Sequence, residues 1–257
     1  LALLSNYFRY FIRLAYLGTN YHGWQIQTNG ISVQEVLDMA LCKILGKPLK
    51  TLGCGRTDTG VHARSFYAHF DIDTALAERD SLVYKLNALL PRDIVVFEML
   101  PVLPEAHARF SAFSRTYRYY IHFDKNPFLL GLSWRMVYDL NVPFMQQAML
   151  LLPGEKDFNC FARSNADHDH GICSMTSADL DFNESRLILT FTANRFLRNM
   201  VRAIVGTVVL VGREKISLSN FAEILLSGNR SLAGDSAPSH GLFLEEIRYP
   251  TDIWLKN

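Results

Sequence analysis

The run Gly53-Cys54-Gly55-Arg56-Thr57-Asp58-Thr59-Gly60-Val61-His62-Ala63 sets one carboxylate two residues after an arginine and among glycines at 53, 55 and 60. Glycine adopts backbone conformations closed to other residues and lets a ligand approach the chain closely, so Asp58 is presented rather than merely exposed. A presented carboxylate can serve as nucleophile or as base. An Asp beside Gly and Thr also has an ordinary use, satisfying backbone N–H groups in a tight turn, and the residue types alone leave both readings open. A glycoside hydrolase built on Asp58 would need a second carboxylate as acid, and no neighbouring motif supplies one.

A second group of reactive side chains is basic. Between Arg195 and Lys215 stand Arg195, Arg198, Arg202, Arg213 and Lys215 against the single acidic residue Glu214. On a helix, Arg195, Arg198 and Arg202 share one face, opposite Val201, Ile204, Val205 and Val208. That spacing fits a solvated face, a phosphate contact or a carboxylate partner equally well. Tyr117, in the aromatic run Arg115-Thr116-Tyr117-Arg118-Tyr119-Tyr120, reads by itself as core packing. Cys160, His168, His170 and Cys173 are irregularly spaced for zinc and lie with Asp167 and Asp169 in a polar stretch, so no metal is expected.

The elements that must hold these residues follow from periodicity. Phe8, Tyr10, Ile12, Leu14 and Tyr16 alternate with Arg9, Phe11, Arg13 and Ala15, which predicts a strand over 7–16. Ser32-Val33-Gln34-Glu35 has the form of a capping box, and apolar residues at helical spacing run from Val33 to Leu45 before Gly46. A short strand ends near Cys54, and Phe66, Ala68, Phe70 and Ile72 alternate in the next. A helix over 81–90 and a strand over 94–99 complete the first half. Pro101 and Pro104 mark a boundary, giving domains 1–104 and 105–257. The second half is expected to hold a strand over 116–123, a helix over 144–152 and a polar loop over 164–171. A strand over 187–193, helices over 196–211 and 220–226, and a last strand over 243–249 follow. The fold class is α+β: two similar mixed domains with mostly antiparallel sheets forming a central sheet, helices on one face, the other face free for a partner, and an interdomain cleft.

Composition bounds the rest. The chain has 257 residues, 49% of them hydrophobic and 20% charged, with a net charge of +1. This predicts a soluble globular protein whose electrostatics are local rather than global. The longest apolar stretch, 203–212, is about half the ~20 residues of a membrane span. Residues 1–6 lack the basic start and the length of a signal peptide, and the four cysteines show no CxxC pair, so a cytoplasmic location with reduced thiols is expected.

The loop around Asp58 resembles the G-R-T-D-A-G-V-H-A signature of the TruA-type tRNA pseudouridine synthases, with Thr59 where Ala is more usual. His107-Ala108-Arg109-Phe110-Ser111-Ala112, followed by the aromatic run from Arg115, is similar to the block that carries that family's active-site tyrosine, and Tyr117 is the matching position. Phe196 to Arg202 resembles its F-x-x-x-M-V-R helix. Ala237-Pro238-Ser239-His240-Gly241-Leu242-Phe243-Leu244 resembles its A-P-x-x-G-L-x-L strand, and Tyr21-His22-Gly23-Trp24-Gln25 with Ser32-Val33-Gln34 its Y-x-G-W-Q and S-V-Q pair. The stretch 163–174 departs from the basic segment the family often carries.

The resemblance implies a cofactor-free and metal-free isomerase that converts uridine to pseudouridine in the anticodon stem-loop of tRNA, working as a cytoplasmic homodimer. It assigns Asp58 as nucleophile or base, Tyr117 to stack on the base and assist proton transfer, and Arg202 as the partner of Asp58. Arg56, His62, Arg109, Arg118, Arg195 and Arg198 become substrate-binding positions, Leu244 caps the base, and the interdomain cleft binds RNA. The alternative is an RNA-binding or RNA-folding module that kept the scaffold without catalysis.

Overall fold

Alternation of side chains produces the first strand as expected: in β1 (Phe8–Tyr16) the residues Tyr10, Ile12, Leu14 and Tyr16 are buried on one face. The computed structural model describes residues 7–163, 170–183 and 185–255. The chain divides into two units, Leu1–Phe113 with Leu244–Asn257, and Ser114–Phe243.

In the first unit Ser32 accepts the Glu35 N–H at 3.2 Å and starts α1 (Val33–Leu45), which Gly46 ends at φ 68°. A side-chain acceptor for an orphan N–H and a left-handed glycine are the two local signals that fix a helix's length. β2 (Leu52–Gly53), β3 (His62–Ile72), α2 (Arg79–Leu89) and β4 (Ile94–Val102) follow. β1 runs antiparallel to both β3 and β4, and β2 pairs antiparallel with β3. β4 continues past the expected 94–99 and takes in Pro101, opposite Tyr10. It is the outermost strand, where a missing N–H is tolerated.

The sheet face expected to be free is not open at its centre. Phe11 is fully buried there, with its ring against Tyr67, His69, Tyr249 and Trp254. Burial of one such side chain stabilises by about 1.5–3 kcal/mol, so this part of the face belongs to the core.

The second unit contains β5 (Ser114–His122), β6 (Trp134–Arg135), α3 (Val142–Leu150), β7 (Gly154–Asp157), β8 (Ile172–Asn183), β9 (Arg186–Ala193), α4 (Met200–Gly212) and α5 (Leu218–Ser227). Its strand order is β5-β9-β8-β7, all antiparallel, with β6 added parallel to β5. β8 was not anticipated. Its inward residues Cys173, Met175 and Ala178 are separated by a register shift between Met175 and Ser177, which breaks the period-two signal.

The basic helix starts later than 196. Asn199 has φ 67°, a left-handed conformation that cannot continue a helix, and α4 begins at Met200. Arg195 and Arg198 therefore precede α4 and do not share a helical face with Arg202. α4 itself is almost wholly buried, with Val201, Ile204, Val205 and Val208 in the core as expected. β10 (Leu242–Arg248) ends the sheet strands; from Leu244 it belongs to the first unit, next to β3, where Glu245 pairs with Arg64 at 3.2 Å. Among the described residues no helix is long and apolar enough to cross a membrane.

Candidate active site

The Asp58 loop spans 54–61, between the paired strands β2 and β3. Its base is closed by the Cys54 N–H donating to the Tyr67 carbonyl at 2.7 Å. Its far side is a turn in which the Val61 N–H donates to the Asp58 carbonyl at 3.1 Å and Gly60 takes φ 78°. A side chain at φ near +80° is strained, so glycine is what lets the chain reverse directly after Asp58. The segment 16–24 underlies the loop. Trp24 donates its N–H to the Thr57 carbonyl at 3.3 Å, and the Tyr16 and Thr57 hydroxyls lie 2.8 Å apart in a buried setting. Asp58 is partly exposed and Arg56 exposed, whereas His62 is buried and its Nδ1 accepts the Gly18 N–H at 3.0 Å. Arg56 and Asp58 thus share the loop, and His62 opens β3 directly after it.

Residues 103–113 form a second well-held segment of this unit. Ala108 donates its N–H to His69 Nδ1 at 3.1 Å, and the Tyr249 hydroxyl donates to the Ala108 carbonyl at 2.6 Å. Burial, reinforced by the nearby Arg9 and His107, lowers the His69 pKa to about 4. Arg109 is exposed, its guanidinium 5.3 Å from the Phe110 ring centroid. Leu244 is buried on β10.

In the second unit Tyr117 and Arg118 alternate on β5. Tyr117 is partly exposed with its ring edge-on to Phe196, 5.1 Å between centroids, and Arg118 is exposed. Tyr119 points inward, donates to the Pro238 carbonyl at 2.7 Å, and has its pKa pushed up by burial. Arg202, on the first turn of α4, donates Nε–H to the Ala237 carbonyl at 2.7 Å, and Ala237 returns its N–H to the Arg202 carbonyl at 2.9 Å. This reciprocal pair fastens the Ala237-Pro238 segment to the helix. Arg198 accepts the Arg163 N–H at its carbonyl at 2.9 Å, and Arg195 is partly exposed.

The family described as tRNA pseudouridine synthase matches residues 148–250. A tRNA pseudouridine synthase A of Porphyromonas gingivalis is 46% identical over 251 residues, covering 96% of this chain and 99% of its own. That of Bacteroides fragilis is 47% identical over 247 residues, covering 96% and 98%. That of Geobacter sulfurreducens is 39% identical over 238 residues, covering 92% and 97%. The chain belongs to the tRNA pseudouridine synthase family.

Within this synthase the matched family segment takes in Arg195, Arg198, Arg202 and Leu244, while Asp58 and Tyr117 fall in the region covered by the full-length relatives. Sequence reasoning missed the residues beneath the Asp58 loop, Tyr16 and Thr57. Their signal is faint but physical: a tyrosine on the buried face of a strand must find a partner for its hydroxyl, and the structure shows that partner to be the buried Thr57. Among the described residues no group of three His, Cys, Asp or Glu side chains is arranged to hold a metal ion. Of the four residues weighed for zinc, Cys160 and Cys173 are buried thiols, and His168 lies outside the described residues.

Proposed function

We propose that this synthase isomerises uridine to pseudouridine in the anticodon stem-loop of tRNA, with Asp58 as its catalytic carboxylate. The observation that carries this reading is the near-full-length kinship with tRNA pseudouridine synthases A, joined to an aspartate held partly exposed on a glycine-framed loop. In the reaction the C1′–N1 bond breaks, the uracil turns while bound, and C5 bonds to C1′. C5 loses its proton and N1 gains one, so nothing is oxidised and no cofactor is called for.

Asp58 acts as an anion, adding covalently or removing the 2′-proton. Arg202 is its partner and orients it by a charge-assisted hydrogen bond. Tyr117 stacks on the base and assists departure of the C5 proton. Arg56 binds phosphate beside the target nucleotide, and Arg109, Arg118, Arg195 and Arg198 bind flanking backbone. Extruding a stacked base costs on the order of a few kcal/mol, which contacts of this kind offset. Leu244 caps the base, and His62 supports the loop from below. The protein works in the cytoplasm as a homodimer.

Tritium release from C5-labelled uridine in tRNA tests the assignment. The parent protein releases label and Asp58→Ala does not; release at the parent's rate by Asp58→Ala would remove Asp58 from the mechanism. Arg202→Ala is expected to lose turnover while retaining tRNA, and a loss confined to binding would make Arg202 a phosphate contact instead. Sedimentation at micromolar concentration reads the dimer.

A further inference from the structure

We infer that Tyr16 is a positioning residue for the reaction, fixing Asp58 through the hydrogen bond between the Tyr16 and Thr57 hydroxyls. The inference rests on the reading of Asp58 as the catalytic carboxylate. Thr57 immediately precedes Asp58, so the side-chain and backbone orientation of one sets the direction in which the other leaves the chain. The two hydroxyls are 2.8 Å apart, and the residues that carry them are 3% and 8% exposed. At that depth water does not readily replace either partner, and removing one oxygen breaks this bond.

The surroundings hold both ends still. Tyr16 closes β1, and its ring stacks on Trp24, which in turn stacks on Phe66 at 4.1 Å. Gly53 makes room for that indole: a Cβ there would lie 2.3 Å from Trp24 Nε1. The Thr57 carbonyl is fixed independently by the Trp24 N–H. Gly23, at φ 80°, lies so close that a Cβ on it would come within 2.3 Å of the same oxygen. Beyond Asp58, the Gly60 N–H donates to the Tyr21 carbonyl at 3.4 Å. The backbone on both sides of Asp58 is therefore tied to segment 16–24, and the hydroxyl pair adds the side-chain tie. Threonine is β-branched and has few χ1 choices, and the Tyr16 hydroxyl selects one of them.

A catalytic group misplaced by about 1 Å can lose on the order of a hundredfold in rate, so a tie of this kind acts on turnover more than on substrate affinity. The test is steady-state tritium release from C5-labelled tRNA by Tyr16→Phe, Thr57→Val, Thr57→Ser and the double variant Tyr16→Phe/Thr57→Val, with Asp58→Ala as reference and melting temperatures alongside. Tyr16→Phe and Thr57→Val are each expected to lower kcat by about tenfold or more with KM within about twofold. Thr57→Ser, which keeps the hydroxyl, restores most of the rate, and the double variant is no slower than the slower single one. Parent-like kcat in Tyr16→Phe and Thr57→Val beside an inactive Asp58→Ala overturns the inference and leaves the role of Asp58 intact. Equal losses in Thr57→Ser and Thr57→Val also overturn it, because packing rather than the hydroxyl is then at work. An active Asp58→Ala overturns the underlying reading itself. Should Thr57→Val fail to fold, Tyr16→Phe, which removes a single oxygen, decides the matter alone.

Discussion

Gly18 donates its backbone N–H to Nδ1 of the fully buried His62 across 3.0 Å. The approach is close, since a Cβ on Gly18 would lie 2.1 Å from the Val61 carbonyl oxygen. His62 therefore braces the chain just after β1 against the exit of the Asp58 loop. Replacing it by leucine leaves a buried donor unpaired, which costs about 1–3 kcal/mol. His62→Leu should lose that much in urea unfolding, and His62→Asn, which can place an oxygen near the Nδ1 position, should lose less. Equal losses would assign the effect to ring packing.

Gly206 on α4 makes the corresponding test in the second unit. A Cβ at this position would sit 1.8 Å from the Asp235 carbonyl oxygen and 3.3 Å from the Ala237 nitrogen. In an exposed helix, Gly→Ala is favourable by about 1 kcal/mol. Here the sign should reverse, because the obstacle is backbone that also carries the Arg202–Ala237 pair. Gly206→Ala should lower the melting temperature and impair turnover together. A stabilised variant would mean that residues 235–237 yield freely.

Where local physics decides, the sequence was a good guide. β1 and α1 follow from alternation and from Ser32 and Gly46, and the half-exposed Asp58 loop follows from its glycines. Errors arise where one residue overrides a pattern. Apolar spacing continues smoothly through 196–211, yet the left-handed Asn199, whose amide donates to the Ser236 hydroxyl at 2.6 Å, makes 195–199 an irregular lead-in to α4. β8 hid behind a register shift and small inward residues. The Tyr16–Thr57 and Gly18–His62 contacts join positions 41 and 44 residues apart, and no periodicity encodes a pairing at that distance.

Stability should fall on acidification, with His69 contributing. Its folded pKa is held down to about 4, first by burial and then by Arg9 and His107, against about 6.5 in an unfolded chain. Above pH ~6.5 both states are neutral and the contribution is complete. Between pH ~6.5 and ~4 the unfolded chain takes up a proton that the folded one refuses, so stability drops, levelling once both are protonated. The full effect is on the order of 3 kcal/mol. His107, His122 and His240 are shifted in the same direction and add to it. Urea titrations at pH ~7.5 and ~5 should show a smaller difference for His69→Gln than for the parent. An unchanged difference would assign the acid sensitivity to the other groups.

Thiol labelling separates the cysteines by environment. Cys160 and Cys173 are fully buried, and burial raises their pKa values to about 12 and about 11. The thiolate is the reacting species, so both low access and low ionisation slow alkylation. Cys42, partly exposed on α1 with its sulfur accepting the Leu49 N–H at 3.1 Å, is more accessible. Iodoacetamide at pH ~8 should modify Cys42 in the native protein and reach Cys160 and Cys173 only in urea, as read by mass spectrometry of peptides. The Cys160 sulfur lies 3.9 Å from the Leu225 carbonyl of α5, so its protection also reports whether α5 is docked. Native labelling of Cys160 as fast as Cys42 would mean that the second unit opens on the labelling timescale.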